Sequence, residues 1–168
     1  MIVLGIDPGI AITGYGFLRL NERNEPEMIN YGVINTTAEK DTSSRLLSLY
    51  RELSALIENY QPTHCAVERL FFVKNQKTAM AVSEARGVIS LCLAQHQLQM
   101  EEYSPSVVKQ AVTSYGNADK KQVQEMVKLT LQLEETPQPD DAADALAIAI
   151  CHAHCSGSYT ITQKYKQL

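Results

Sequence analysis

A chain of 168 residues has room for one compact domain with a sizeable core and too little for two full lobes. Its composition is ordinary for a globular protein, 45% hydrophobic and 20% charged, with no bilayer-length apolar run and no signal-peptide layout, which predicts a soluble, cytoplasmic protein. The net charge of −4 argues against a phosphate-bearing partner, but the acids gather at Glu22 to Glu27, Glu101-Glu102 and Glu134 to Asp144; Lys74, Lys77, Arg86, Lys109, Lys120, Lys121 and Lys128 fall mid-chain and leave a local basic face open.

Met1 to Ile6 is almost wholly apolar and β-branched, the pattern of a central strand buried on both faces, and it runs straight into Asp7. Pro8 fixes its own φ and Gly9 tolerates φ > 0, so Pro8-Gly9 predicts a type II turn with Asp7 at the strand's carboxyl end. A carboxylate there either caps the turn or, desolvated, requires a cation, of which a divalent metal is the strongest. Thr13 to Leu18 alternates small or polar with aromatic residues, and Met28 to Thr36 repeats a β-rich pattern after the polar turn at Asn21 to Glu27. Three antiparallel strands are therefore expected to open the domain. Asp41 or Thr42 caps a helix in which Leu46, Leu49, Tyr50, Leu53, Leu56, Ile57 and Tyr60 keep one face, and Gln61-Pro62 ends it.

His64 to Glu68 reads as a short buried strand that again terminates in a carboxylate. Arg69 to Gln76 is a loop carrying adjacent Phe71 and Phe72. Thr78 to Gln97 is a long helix apolar on more than one face, its excess covered by a partner or inside the monomer. Gln99 to Tyr103 makes a fifth strand, and Ser104-Pro105 starts a short helix. Gly116-Asn117 breaks it, with Asn117 capping a helix that turns Val123, Met126, Val127 and Leu131 inward. The last helix runs from about Asp140 to His154, and the polar stretch after it predicts a loose tail, dividing the chain into a domain at 1–155 and a tail at 156–168. Cys65, Cys92, Cys151 and Cys155 lack a paired C-x-x-C framework and read as reduced thiols. Cys151-His152-Ala153-His154-Cys155 is not read as a zinc site, because His152 lies off the face the cysteines share and no second ligand pair is near. The order β-β-β-α-β-α-β-α-α-α indicates an α/β domain with a mixed sheet.

Asp141 and Asp144, three residues apart, share a helical face that Ala145 and Ile148 continue. Alone they can be a cap that suits the helix dipole. With Asp7 and Glu68 each ending a buried strand, four acids can converge. Paired divalent ions about 3.5–4 Å apart need several bridging carboxylates and clamp the attacking and leaving oxygens of a phosphodiester, and Mg²⁺ suits such an oxygen shell.

The run Gly5-Ile6-Asp7-Pro8-Gly9 with Thr13-Gly14-Tyr15-Gly16 is followed by Glu68 with Phe71 and Lys74-Asn75, then Glu84-Ala85-Arg86-Gly87. Val108-Lys109-Gln110, Lys120 with Gln122-Val123, and Asp141-Ala142-Ala143-Asp144-Ala145-Leu146-Ala147 come later. Over about residues 1 to 155 this set resembles the RuvC family, bacterial Holliday junction endonucleases of the RNase H-like superfamily. The resemblance implies an RNase H-like α/β fold, a mixed five-stranded sheet flanked by helices on both faces. It implies a homodimeric, Mg²⁺-dependent enzyme of DNA recombination and repair, with two ions per site and Mn²⁺ as a substitute. Such an enzyme nicks two opposed strands of a four-way DNA junction symmetrically, leaves 5′-phosphate and 3′-hydroxyl ends, and works with the branch-migration proteins RuvA and RuvB.

Asp7, Glu68, Asp141 and Asp144 carry over as catalytic metal ligands; Asp141 stands where some family members have His, and Asp140 is extra. Phe71, Lys74, Arg86, Lys109, Lys120 and Lys121 are the expected DNA-binding residues, Phe71 by stacking on an unpaired base, and Arg69 receives no role. Lys120 and Lys121 stand in the first turn of a helix, where a phosphate would relieve their conflict with the dipole. By the resemblance Lys109 and Lys120 neutralise charge on the scissile phosphate; otherwise they are solvated lysines offset by Asp119. A general RNase H-like nuclease is the alternative. An actin-like phosphotransferase is a poorer one, since it needs a second lobe.

Overall fold

The computed structural model describes residues 1–36, 41–69 and 76–166, of which 76–78 and 157–166 are described by backbone alone. Its elements are β1 (Ile2–Asp7), β2 (Ile12–Leu20), β3 (Pro26–Asn35), α1 (Thr42–Tyr60), β4 (His64–Glu68), α2 (Gln76–Gln95), β5 (Met100–Tyr103), α3 (Pro105–Thr113), α4 (Lys120–Thr130) and α5 (Asp140–Lys166). They form a five-stranded mixed sheet in the order β3-β2-β1-β4-β5. Short connections make β1-β2 and β2-β3 antiparallel, while crossovers through α1 and α2 make β1-β4 and β4-β5 parallel. A register break between Phe17 and Leu18 interrupts the β2-β3 ladder.

Central β1 explains the unbroken apolar start of the chain. Val3 points into a core built on one face with Val108, Val112, Val123, Val127 and Leu146 of α3, α4 and α5. Leu4 and Ile6 point into the other, with Leu49, Leu53 and Ile57 of α1 and Ala85, Ile89 and Leu93 of α2. The excess apolar surface of α2 is only partly covered, since Met80 is 69% and Leu91 56% exposed. Among the described residues no helix is long and apolar enough to cross a membrane, and all four cysteines are free.

Asp41 caps α1, its side chain accepting from the Ser44 N–H, and Gln61 ends that helix in the left-handed region. Ser104 caps α3 with Pro105 in its first turn. Three expectations are corrected. The cap of α4 is Asp119, not Asn117, because Asp119 and Gln122 satisfy one another's backbone donors in a reciprocal box. Pro8-Gly9 does not form a type II turn, since no described glycine has a positive φ. Gly9 is needed for room instead: a Cβ there would lie 2.1 Å from the Ile12 carbonyl oxygen. Finally, α5 does not stop at His154 but continues to Lys166 through the stretch expected as a loose tail. No proline follows Pro139, and a lone glycine such as Gly157 costs a helix only about 1 kcal/mol.

Helix α5 lies against β1 and β2 because glycines let it approach. A Cβ on Gly5 would lie 2.1 Å from the Ala145 carbonyl oxygen, and one on Gly14 would lie 1.9 Å from that of Asp141. Both obstacles are backbone, so the sheet and the helix touch main chain to main chain at these points.

Candidate active site

The strand register builds the site. Ile6 pairs with Val67, so Asp7 and Glu68 leave the carboxyl ends of adjacent parallel strands together. On the other side Asp7 pairs with Gly14, whose missing side chain admits the Asp141 carbonyl. Asp144 follows one turn along α5, on the face of Asp141. The four acids named from the sequence thus come from three parts of the chain to one end of the sheet.

Their electrostatics register the crowding. Burial, followed by the charges of Glu68, Asp144 and Asp141, pushes the Asp7 carboxyl up to about 8, with Lys120 opposing. Burial and then Asp144 raise Glu68 above its usual range, while Lys109 draws it down. Burial likewise raises Asp144, against the hydrogen bond and charge of Lys120. The Lys120 ammonium lies 3.1 Å from a carboxylate oxygen of Asp144 and 3.1 Å from one of Asp140, and Asp140 also accepts from the Gln124 side-chain amide at 2.9 Å. Asp140, exposed and paired with Lys120 and Gln124, stands at the rim of the cluster.

Among the described residues no three His, Cys, Asp or Glu side chains close into a metal-holding group. The acids form an open cluster in which like charges face one another. The donor set nonetheless fits a hard divalent cation: all its donors are oxygens, and such a cation removes the repulsion that raises the Asp7 carboxyl.

Of the expected DNA-binding residues, Lys109, Lys120 and Lys121 stand on α3 and α4 near this end of the sheet, Lys109 half-buried and the other two exposed. Arg86 is engaged elsewhere, its guanidinium paired with Glu102 of β5. Phe71 and Lys74 lie outside the described residues. Glu102 was visible in the sequence only as one of two adjacent acids on a strand, and Arg69 only as the residue after Glu68; neither spacing announced the ion pair of these two, at 3.5 Å. At the opposite end of the sheet a cleft is lined by Thr63, His64, Glu101, Tyr103 and His152, in which Tyr103 and His152 are hydrogen-bonded at 3.0 Å. None of the four acids reaches it.

The sequence matches the family described as crossover junction endodeoxyribonuclease RuvC over residues 3–152. It is 53% identical over 166 residues to the crossover junction endodeoxyribonuclease RuvC of Alkaliphilus metalliredigens, covering 99% of this chain and all of that one (100%). The protein of the same name from Caldicellulosiruptor saccharolyticus is 54% identical over 158 residues, covering 94% of this chain and 95% of the relative. The fold matches the solved structure of T. thermophilus RuvC in complex with Holliday junction substrate, with a TM-score of 0.86 at 29% identity, covering 94% of this chain and 96% of that one. A family match across nearly the whole chain, on a sheet that brings four acids together, decides the matter: the chain belongs to the RuvC family of crossover junction endodeoxyribonucleases.

Proposed function

We propose that this chain resolves four-way DNA junctions by hydrolysing phosphodiesters in two opposed strands, with Asp7, Glu68, Asp141 and Asp144 as the ligands of its metal. The observation that carries the reading is the convergence of these acids, three of them raised by burial, at the carboxyl ends of β1 and β4. The family is one of divalent-metal-dependent nucleases. Mg²⁺, as two ions with Mn²⁺ as a substitute, is our assignment, on the hardness of an all-oxygen donor set. Such a pair supplies charge stabilisation to the attacking and leaving oxygens of the phosphodiester.

The chain's own groups do the rest. Asp7 must give up its proton to hold a cation, so cation binding and deprotonation run together. Lys120, which rests on Asp144 and Asp140 at the edge of the cluster, would supply positive charge beside the scissile phosphate. Lys109, close enough to Glu68 to lower its proton affinity, adds positive charge on the same side. Phe71, Lys74 and Lys121 extend the contact surface along the junction, Phe71 by stacking. Symmetric nicking requires two sites, and the exposed Met80 and Leu91 of α2 support a homodimer through that helix. RuvA and RuvB are its branch-migration partners in recombination and repair in the cytoplasm, and residues 156–168 lie outside the nuclease domain in this reading.

A labelled four-way junction and a linear duplex, each incubated with Mg²⁺ or EDTA, test it. Paired nicks in the junction alone, only with metal, are expected. In Asp7→Asn junction binding persists while cleavage falls at least about 100-fold, one ligand being lost and the basic surface kept. Equal cutting of both substrates would favour a general RNase H-like nuclease, and full cleavage by Asp7→Asn would sink the mechanism.

A further inference from the structure

Glu102 lies on β5 next to Tyr103, the residue in register with Glu68 on β4. Its carboxylate takes two guanidinium groups. One oxygen pairs with the Arg86 guanidinium of α2, and the other lies 3.5 Å from Arg69 Nε. Arg69 immediately follows Glu68, and its N–H donates to the Tyr103 carbonyl at 2.8 Å, extending the β4-β5 ladder one residue past the catalytic position. Arg69 and α2 are also the two ends of the connection that carries Phe71 and Lys74 in sequence. Glu102 therefore ties the residue after Glu68 and the middle of α2 to the edge strand.

The pair is not an ordinary surface bridge. The Arg86 and Glu102 side chains are 23% and 29% exposed, and the Arg86 Nε is buried with no hydrogen-bond partner among the described residues. A charge so enclosed depends on its partner, because removal of either leaves the other uncompensated. The end of β4 also needs holding. Glu68 faces the like charge of Asp7 and Asp144, and the outer neighbour of β4 is a strand of only four residues. Backbone pairing alone gives little resistance to an outward shift of Glu68 there.

We propose that Glu102 is a positioning residue whose clasp on Arg86 and Arg69 fixes the carboxyl end of β4, and with it Glu68, against α2. Arg86 acts inside this clasp and not on DNA. The proposal rests on the junction-cleavage reading for its effect on activity and on the ion pairs alone for its effect on the strand.

Three variants of the full chain test it: Glu102→Gln, Arg86→Gln, and the reversed pair Glu102→Arg with Arg86→Glu. Junction binding in EDTA is expected to stay within about twofold of wild type in all three, because none removes a phosphate contact. Both single variants need about tenfold more Mg²⁺ for half-maximal single-turnover cleavage, the usual effect of losing a group that orients a metal ligand. The reversed pair regains most of this. Hydrogen exchange at the Arg69 amide speeds up in the single variants and slows again in the reversed pair, a readout that stands even if the chain cuts no junction. Melting temperature is recorded alongside, and cleavage is compared well below the lowest midpoint. Weaker binding in Arg86→Gln with unchanged or tighter binding in Glu102→Gln makes Arg86 a DNA contact and overturns the clasp. An unchanged Mg²⁺ requirement with unchanged exchange overturns it equally, as does a loss of cleavage that tracks melting alone.

Discussion

At the scale of single residues, the buried carboxyl of Asp7 sets a cost that depends on pH. Its carboxyl, pushed up to about 8 from an ordinary 3.8, keeps in the native state a proton that the unfolded chain has already released. The native state therefore binds more protons across this window, and stability falls as pH rises from about 4 to about 8, then levels. Glu68 and Asp144, raised by burial too, share the slope. In EDTA, Asp7→Asn is expected to match wild type in urea unfolding at pH 4 and to exceed it at pH 8 by on the order of a few kcal/mol. Parallel loss of stability in both chains over that range would show that Asp7 bears no such strain. The position of Asp7 was legible, because an apolar strand ending in an acid before Pro-Gly is a local pattern. Its proton affinity was not, since it depends on Glu68, Asp141 and Asp144, which the fold brings from distant parts of the chain.

At the scale of elements, the phase of α5 decides where its two acids point, and glycines in β1 and β2 set that phase. Gly14 sits where a Cβ would meet the Asp141 carbonyl oxygen at 1.9 Å, and Gly5 where it would meet that of Ala145 at 2.1 Å. Backbone cannot step aside as a side chain can, so α5 must shift as a body. Gly14→Ala is expected to lose about 3 kcal/mol in urea unfolding, at the upper end for overpacking, and to impair cleavage even where the chain remains folded. Unfolding within about 0.5 kcal/mol of wild type would mean that the helix rests loosely on the sheet. The helix itself and the shared face of Asp141 and Asp144 were readable from spacing. The role of Gly14 was not, since in an alternating strand it reads only as a small position. Gly9 shows the converse, since Pro-Gly suggested a left-handed turn and the structure uses the glycine for clearance. For α4 the spacing of Asp119 and Gln122 carries the cap signal, and it outweighs the break at Gly116-Asn117 because two donors are satisfied at once.

At the scale of the molecule, the sheet order follows from chain logic that sequence reveals well: hairpins on one side of the central strand, helical crossovers on the other. What covers α2 was left open by pattern, and the monomer settles it only in part, burying Ala85, Ile89 and Leu93 while leaving Met80 and Leu91 out. In the proposed homodimer these two meet a second copy. Leu91→Glu is expected to sediment as a monomer at micromolar concentration with an unchanged circular dichroism spectrum, and to separate the paired nicks in a junction into single ones. A wild-type chain that stays monomeric would refute the dimer. The margins of the sheet bear on how such copies meet. An unpaired strand edge is a template for another chain's backbone. One margin here, β5, is four residues long; the other, β3, begins at a proline and pairs inward across a register break. The short β5 offers little backbone for strand addition and the register break divides the ten-residue β3 into shorter runs, so both margins resist growth into a continuous intermolecular sheet.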